Sequence, residues 1–114
     1  DGDAKAQPFG PSQPGASGVD TLLALTLSLV HQGHLDLLRA IELLSLAPST
    51  ILDLGGGALI PGTAADLVMF DANSSHIIRG GTFASSSRIT PFEGMPVQGR
   101  VLATYVAGAP VFRA

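Results

Sequence analysis

The chain has 114 residues, 46% of them hydrophobic and only 13% charged, with a formal net charge of −3 and no cysteine. That length suits one domain and excludes a complete (β/α)8 barrel, which needs roughly 250 residues. Disulfides and thiolate chemistry are excluded, in keeping with a reducing compartment; no basic run offers a footprint for nucleic acid; and the longest apolar run, residues 22–30, falls far short of the ~20 residues a membrane span needs. The opening DGDAKAQPFG lacks the cationic start and apolar core of a signal peptide. So apolar and so short a chain is expected to be soluble, with surfaces that a larger structure covers.

Residues 1–18 carry Pro8, Pro11 and Pro14 and are read as a long loop. Ser17-Gly18-Val19-Asp20 matches a capping box, with Ser17 as N-cap and Asp20 at the third helical position. Within VDTLLALTLSLVHQG, Leu23, Leu25, Leu27 and Leu29 alternate with smaller residues as in a strand. The capping box, the Leu and Ala content and Gly33 as a stop favour a helix instead, apolar nearly all round and therefore buried. Asp36 caps a second helix through about Leu46, and Pro48 opens a short third one that ends at Gly55. Beyond Gly55-Gly56-Gly57, DLVMFD reads as a short buried strand, HIIR as another, and VLATYVAGAPVF as a hairpin turning near Ala107-Gly108-Ala109-Pro110. Helices precede strands, an α+β order, with an irregular connection over residues 82–99.

Candidate chemistry is sparse. His31 and His34 have a spacing that suits two ligands on one helical face, but Gly33 falls between them, and exposed histidines at a helix terminus are the plainer reading. His76 flanks a strand without a local partner. The glycine run lacks a preceding strand and a following Lys-Ser/Thr, so it is not a phosphate loop. Asp20 is accounted for by capping, and Asp66 and Asp71 read as strand-end and turn residues. No nucleophile, metal cluster or acid/base pair is visible in these residues.

The order of motifs adds more. GASGVDTLLALTLSLV, RAIELLSLAPSTILDL, GALIPGTAADLVMFD and FASSSRITPFEGMPVQGRVLATYVAGAPV together resemble the C-terminal end of dihydroorotases, cyclic amidohydrolases of the metal-dependent amidohydrolase superfamily. The likeness covers nearly the whole chain. Ala-Asp-Leu at 65–67 is common to many amidohydrolases, the Thr-Pro-Phe-x-Gly loop at 90–94 narrows the choice to the cyclic amidohydrolases, and the serines before it favour dihydroorotase. This sequence departs from the family at three positions: Asp20 stands for a usual Glu, Ala47 for an Asn before Pro48, and Asp53 for a common Gly. On that view Ala47 forgoes an N-cap at a cost of ~1 kcal/mol.

The resemblance implies an α+β piece comprising the loop after the last barrel strand (1–18), the closing helices of a (β/α)8 barrel (19–58) and strands of a small β-sandwich (59–114). It implies reversible cyclisation of N-carbamoyl-L-aspartate to L-dihydroorotate in cytoplasmic pyrimidine biosynthesis. Zinc would polarise the amide and supply the hydroxide, and an upstream aspartate would move the proton. All the family's metal ligands and that aspartate precede this segment, so the chain carries no catalytic or metal-binding residue and is expected to be inactive and to bind no zinc tightly by itself. Its one functional contact would be the Pro14-Gly15 step, whose backbone meets the substrate, although simple loop punctuation explains the same residues. Implied partners are a small-molecule substrate, the N-terminal barrel segment, a second copy in a homo-oligomer and aspartate transcarbamoylase. Allantoinase and dihydropyrimidinase share the fold, and a metal-free homologue serving as a structural partner of the transcarbamoylase is the non-enzymatic alternative.

Overall fold

The computed structural model describes residue 8 and residues 15–114. A 3-10 turn over Val19–Thr21 leads into helix α1, Leu22–His31. The helix prevails over the alternating strand pattern because its polar members and its end fit a helix. The Thr26 and Ser28 hydroxyls donate to the carbonyls of Leu22 and Ala24, at 2.8 and 3.0 Å. Gly33, at φ 76, supplies the left-handed residue of a Schellman cap, with its N–H donating to Val30 and that of His34 to Leu29.

The start of α1 differs from the expected capping box. Gly18 occupies the N-cap of the 3-10 turn and Thr21 that of α1, neither with a side-chain capping bond, and the Thr21 hydroxyl donates to the Gly18 carbonyl at 3.1 Å. The Ser17 N–H, which the box would pair with Asp20, donates to Ile89 at 2.9 Å. The Asp20 carboxylate points at residues 84 and 85. The two groups that would form the reciprocal bond of the box, the Ser17 N–H and the Asp20 carboxylate, are both taken by tertiary partners.

Three separate helices are expected over residues 19–54, and the second and third turn out to be one rod. Helix α2 (Leu37–Ile41), a π turn (Glu42–Leu46) and helix α3 (Ala47–Ile51) follow one another without a break. Pro48 is the reason. It has no N–H and its ring crowds the carbonyl four residues back, and the π turn shifts the register just before it, with the Ala47 N–H donating to Glu42, five residues behind. Ala47 lies inside the rod, so its difference from Asn forgoes no cap. Asp36 caps α2 as expected, accepting from the Arg39 N–H at 2.8 Å. The glycine run folds back on the π turn: a Cβ at Gly57 (φ 89) would stand 2.8 Å from the Leu46 Cα and 2.9 Å from the Ser45 carbonyl oxygen. The Gly56 N–H donates to Ser49 Oγ at 2.9 Å.

Strands β1 (Leu67–Ile77), β2 (Pro96–Val106) and β3 (Ala109–Arg113) form an antiparallel sheet in the order β1-β2-β3. The expected DLVMFD and HIIR strands are thus a single β1, interrupted by a bulge between Asp71 and Ser75 that lies opposite Gly99 of β2. A 3-10 turn, Gly80–Thr82, opens the connection to β2, whose irregular part ends at Met95 rather than Gly99. Ala107 and Gly108, at φ 49 and 80, make the β2–β3 hairpin turn. Asp66 stands just before β1, as a strand-end residue, and its carboxylate accepts the Ala107 N–H of the hairpin turn at 2.8 Å. Asp71 lies within β1 at the edge of the bulge, where its carboxylate accepts the Asn73 N–H at 2.8 Å, and is not the turn residue expected.

The helical and strand parts share a core. Ala24, Ile78 and Val97 are buried together, with Leu25, Phe83 and Phe92 packed around them. Leu27, 1% exposed, sits on the backbone of Gly99, where a Cβ would collide with Leu27 Cδ1. The bulge and the glycine (φ 117) admit the helix. Burial of α1 is one-sided: Leu22 and Leu29 remain 54% and 46% exposed, so the expected all-round burial does not occur among these residues. Most of β1 is exposed as well, because the sheet meets α1 on one face only.

Candidate functional site

Of the Pro14-Gly15 step, Pro14 lies outside the described residues. Gly15 is exposed with φ 95, and nothing stands within 4 Å of where its Cβ would be. Conformation, and not crowding, therefore calls for glycine here, since L side chains rarely adopt that φ. Two residues on, the Ser17 amide is fastened to Ile89. Asp20 makes the next tie: its Oδ1 accepts the Ala84 N–H at 3.0 Å and its Oδ2 accepts the Ser85 hydroxyl at 2.6 Å. The Ser85 hydroxyl holds the Asp20 carboxyl below its usual value of 3.8, with the Ala84 N–H acting the same way and slight burial opposing. Asp20 is thus an ionised tether. Its S-x-x-D spacing is the signature of a local cap, and nothing in the neighbouring residues reveals that its partners lie 64 and 65 positions away.

The histidines fall elsewhere. His31 is the last residue of α1, and His34 follows the Gly33 cap. His31 and His76, far apart in sequence, line one groove of about 500 Å3 between the end of α1 and the β1–β2 edge, together with Ser28, Gln32, Ser75 and Gln98. The Nδ1 of His76 is buried there without a hydrogen-bond partner. Among the described residues no three His, Cys, Asp or Glu side chains converge to hold a metal ion. Nor does any helix among them have the length and apolarity to cross a membrane. The arrangement can hold a loop in place and present its backbone.

The family model described as "Amidohydrolase family" matches residues 15–111. The dihydroorotase of Anaplasma phagocytophilum is 37% identical over 110 residues, which is 96% of this chain and 25% of that protein. The dihydroorotase of Pelobacter propionicus is 37% identical over 111 residues, 97% and 26% of the two chains. A dihydroorotase-like protein of Pseudomonas aeruginosa is 42% identical over 106 residues, 93% and 25% respectively. Among solved structures, the L-hydantoinase (dihydropyrimidinase) of Arthrobacter aurescens superposes with a TM-score of 0.84 at 31% identity, covering 90% of this chain and 24% of that one. The chain spans about a quarter of the length of the curated relatives it matches. The motifs at 65–67 and 90–94, the helix-then-sheet order and a match running from Gly15 to Val111 agree, and the chain belongs to the amidohydrolase family.

Proposed function

We propose that the full-length protein is a cyclic amidohydrolase, and specifically a dihydroorotase that closes N-carbamoyl-L-aspartate to L-dihydroorotate reversibly in cytoplasmic pyrimidine biosynthesis. The observation that carries this reading is the run of relatives called dihydroorotase at 34–38% identity along 96–98% of the chain. Identity to the superposed hydantoinase is lower, at 31%. In this reading α1 and the α2–α3 rod close the barrel, the β1–β3 sheet belongs to the β-sandwich, and upstream residues supply zinc ligands and the proton-transfer aspartate. A homo-oligomer, alone or with aspartate transcarbamoylase, is the proposed assembly. This chain's own part is to bring the backbone of the Pro14-Gly15 step to the substrate. A main-chain donor can hold a carboxylate or carbonyl oxygen without adding a titrating group to the site.

The 42% identity to proteins called dihydroorotase-like favours a second reading, a homologue that acts as a structural partner and not as an enzyme. Purified full-length protein, supplied with dihydroorotate, N-carbamoyl-L-aspartate, hydantoin, dihydrouracil and allantoin, separates the readings when its metal content is measured alongside. Turnover confined to the first two is the expected result. Turnover of hydantoin or dihydrouracil instead points to the dihydropyrimidinase branch, and no turnover with no bound metal supports the structural partner. In the active enzyme, Gly15→Val forces a β-branched residue to φ 95. It is expected to lower kcat/KM about ten- to a hundredfold, mostly through KM, with metal content unchanged.

A further inference from the structure

Two rungs join the segment entering α1 to the connection between β1 and β2. The Ser17 N–H donates to Ile89 at 2.9 Å, and Asp20 receives both the Ala84 N–H and the Ser85 hydroxyl. Asp20 is itself the middle residue of the 3-10 turn Val19–Thr21, so the second rung starts from the first turn of the helix entry. On the far side, the connection is itself held fast. Phe83 and Phe92 pack on the Ala24–Ile78–Val97 core, the Gly80 N–H donates to Glu93 Oε2 at 2.7 Å, and the Gly94 N–H donates to Ile78 at 2.9 Å. Gly80 lies directly under the Arg88 carbonyl, leaving no room for a Cβ. The connection is therefore an anchored body, and the two rungs pass its position to the residues that follow Gly15.

We propose that Asp20 and Ser85 are positioning residues: their bond, with the Ser17–Ile89 rung, sets the place of the Gly15 loop for substrate. The proposal rests on the reading of Gly15 as a substrate contact. The chemistry fits the task, because a carboxylate with two donors on one short segment fixes both distance and direction. A loop displaced by about an ångström is enough to weaken substrate alignment.

The test uses the full-length enzyme with Ser85→Ala, Asp20→Ala and Asp20→Asn, measuring amide hydrogen exchange at Ser17 and Ala84 beside kcat, KM and metal content. Ser85→Ala deletes one donor with little threat to folding. Asp20→Asn keeps an acceptor for the Ala84 N–H and should fall between wild type and Asp20→Ala. Faster exchange at Ser17, with KM raised about three- to tenfold and kcat and metal content unchanged, is the expected result. Unchanged Ser17 exchange in Ser85→Ala and Asp20→Ala overturns the proposal. So does faster exchange with unchanged KM where Gly15→Val still raises KM, since the loop then needs no such tether. If Gly15→Val is also silent in KM while Ser17 exchange rises, the substrate role of Gly15 falls and the tether on the loop stands.

Discussion

The first helix and the rod are of similar composition, both rich in leucine, yet they are held in different ways. Helix α1 is fixed by partners distant in sequence: Leu27 rests on Gly99, Ala24 packs with Ile78 and Val97, and Asp20 and Ser17 reach residues 84–89. The α2–α3 rod is fixed by its neighbours. Asp36 caps its start, Ser45 and Ser49 hold the glycine loop that follows, and a Schellman pair closes its end, with the Asp53 N–H donating to Thr50 and that of Leu54 to Ser49. Its buried residues are only Ala40 and Ser49. Apolar content alone therefore does not say how a helix is held; the small residue opposite it does, and only α1 rests on a glycine that faces a bulge.

The largest expected effect comes from breaking that seat. Leu27→Ala should destabilise the protein by about 3 kcal/mol, the loss of a fully buried leucine with a cavity left behind. Gly99→Ala should be comparably harmful from the other side, since its Cβ collides with the same leucine at φ 117. In the rod, Leu38→Ala, at a side chain 79% exposed, should cost little by comparison. Denaturant unfolding of the full-length protein compares the three. If Leu38→Ala costs as much as Leu27→Ala, then the rod is seated on a part of the protein beyond these residues, and the contrast belongs to this segment alone.

The same contrast explains which features were legible in the sequence. The end of α1 was readable because Gly33 is a local signal, and the hairpin was readable because Ala107-Gly108 is one too. Asp36 was readable as a cap for the same reason. Features settled by distant partners were not. The capping-box reading of Asp20 failed because Ser-x-x-Asp has the same appearance whether the acid bonds its own helix or a serine 65 residues on. Pro48 marked a helix start by its usual preference, but the π turn that lets a helix run through it has no sequence signature. The bulge that makes one strand of DLVMFD and HIIR is set by its pairing opposite Gly99, which is visible only once β2 is beside it. At the candidate site neither the positive φ of Gly15 nor its tether was legible, because the residues mark only a Pro-Gly loop step and both features depend on the folded chain.

The two helix ends allow a finer test. Both close with the same hydrogen-bond pattern, but the left-handed position is Gly33 in α1 and Asp53 in the rod, at φ 76 and 52. Aspartate there bears a Cβ in a region disfavoured for L residues, and its negative charge faces the negative end of the helix dipole. Asp53→Gly should therefore stabilise the protein by about 0.5–1 kcal/mol, the added freedom of glycine in the unfolded chain offsetting part of the gain. Gly33→Asp should move stability by a similar amount in the opposite direction. Denaturation midpoints measured at constant slope would show both shifts, and a loss of stability in Asp53→Gly would mean that the Asp53 side chain has a partner elsewhere in the protein.

The smallest effect concerns the start of α1, and its sign follows from the tether. The Ser85 hydroxyl, and after it the Ala84 N–H, keep the Asp20 carboxyl below its ordinary value of 3.8. A carboxyl whose folded value is depressed binds fewer protons in the folded state than in the unfolded state. Its contribution to stability is therefore complete above the unfolded value and is lost as pH falls through the folded one. Because Asp20 is exposed in this chain, solvent screening limits that contribution to no more than about 0.5 kcal/mol. Wild type and Asp20→Asn should accordingly differ in stability at neutral pH and converge below pH 3.8, with Ser85→Ala narrowing the gap at neutral pH in the same way. A difference that persists unchanged into acid would show that the asparagine variant loses something other than the ionised tether, and that the start of α1 is held by shape and not by charge.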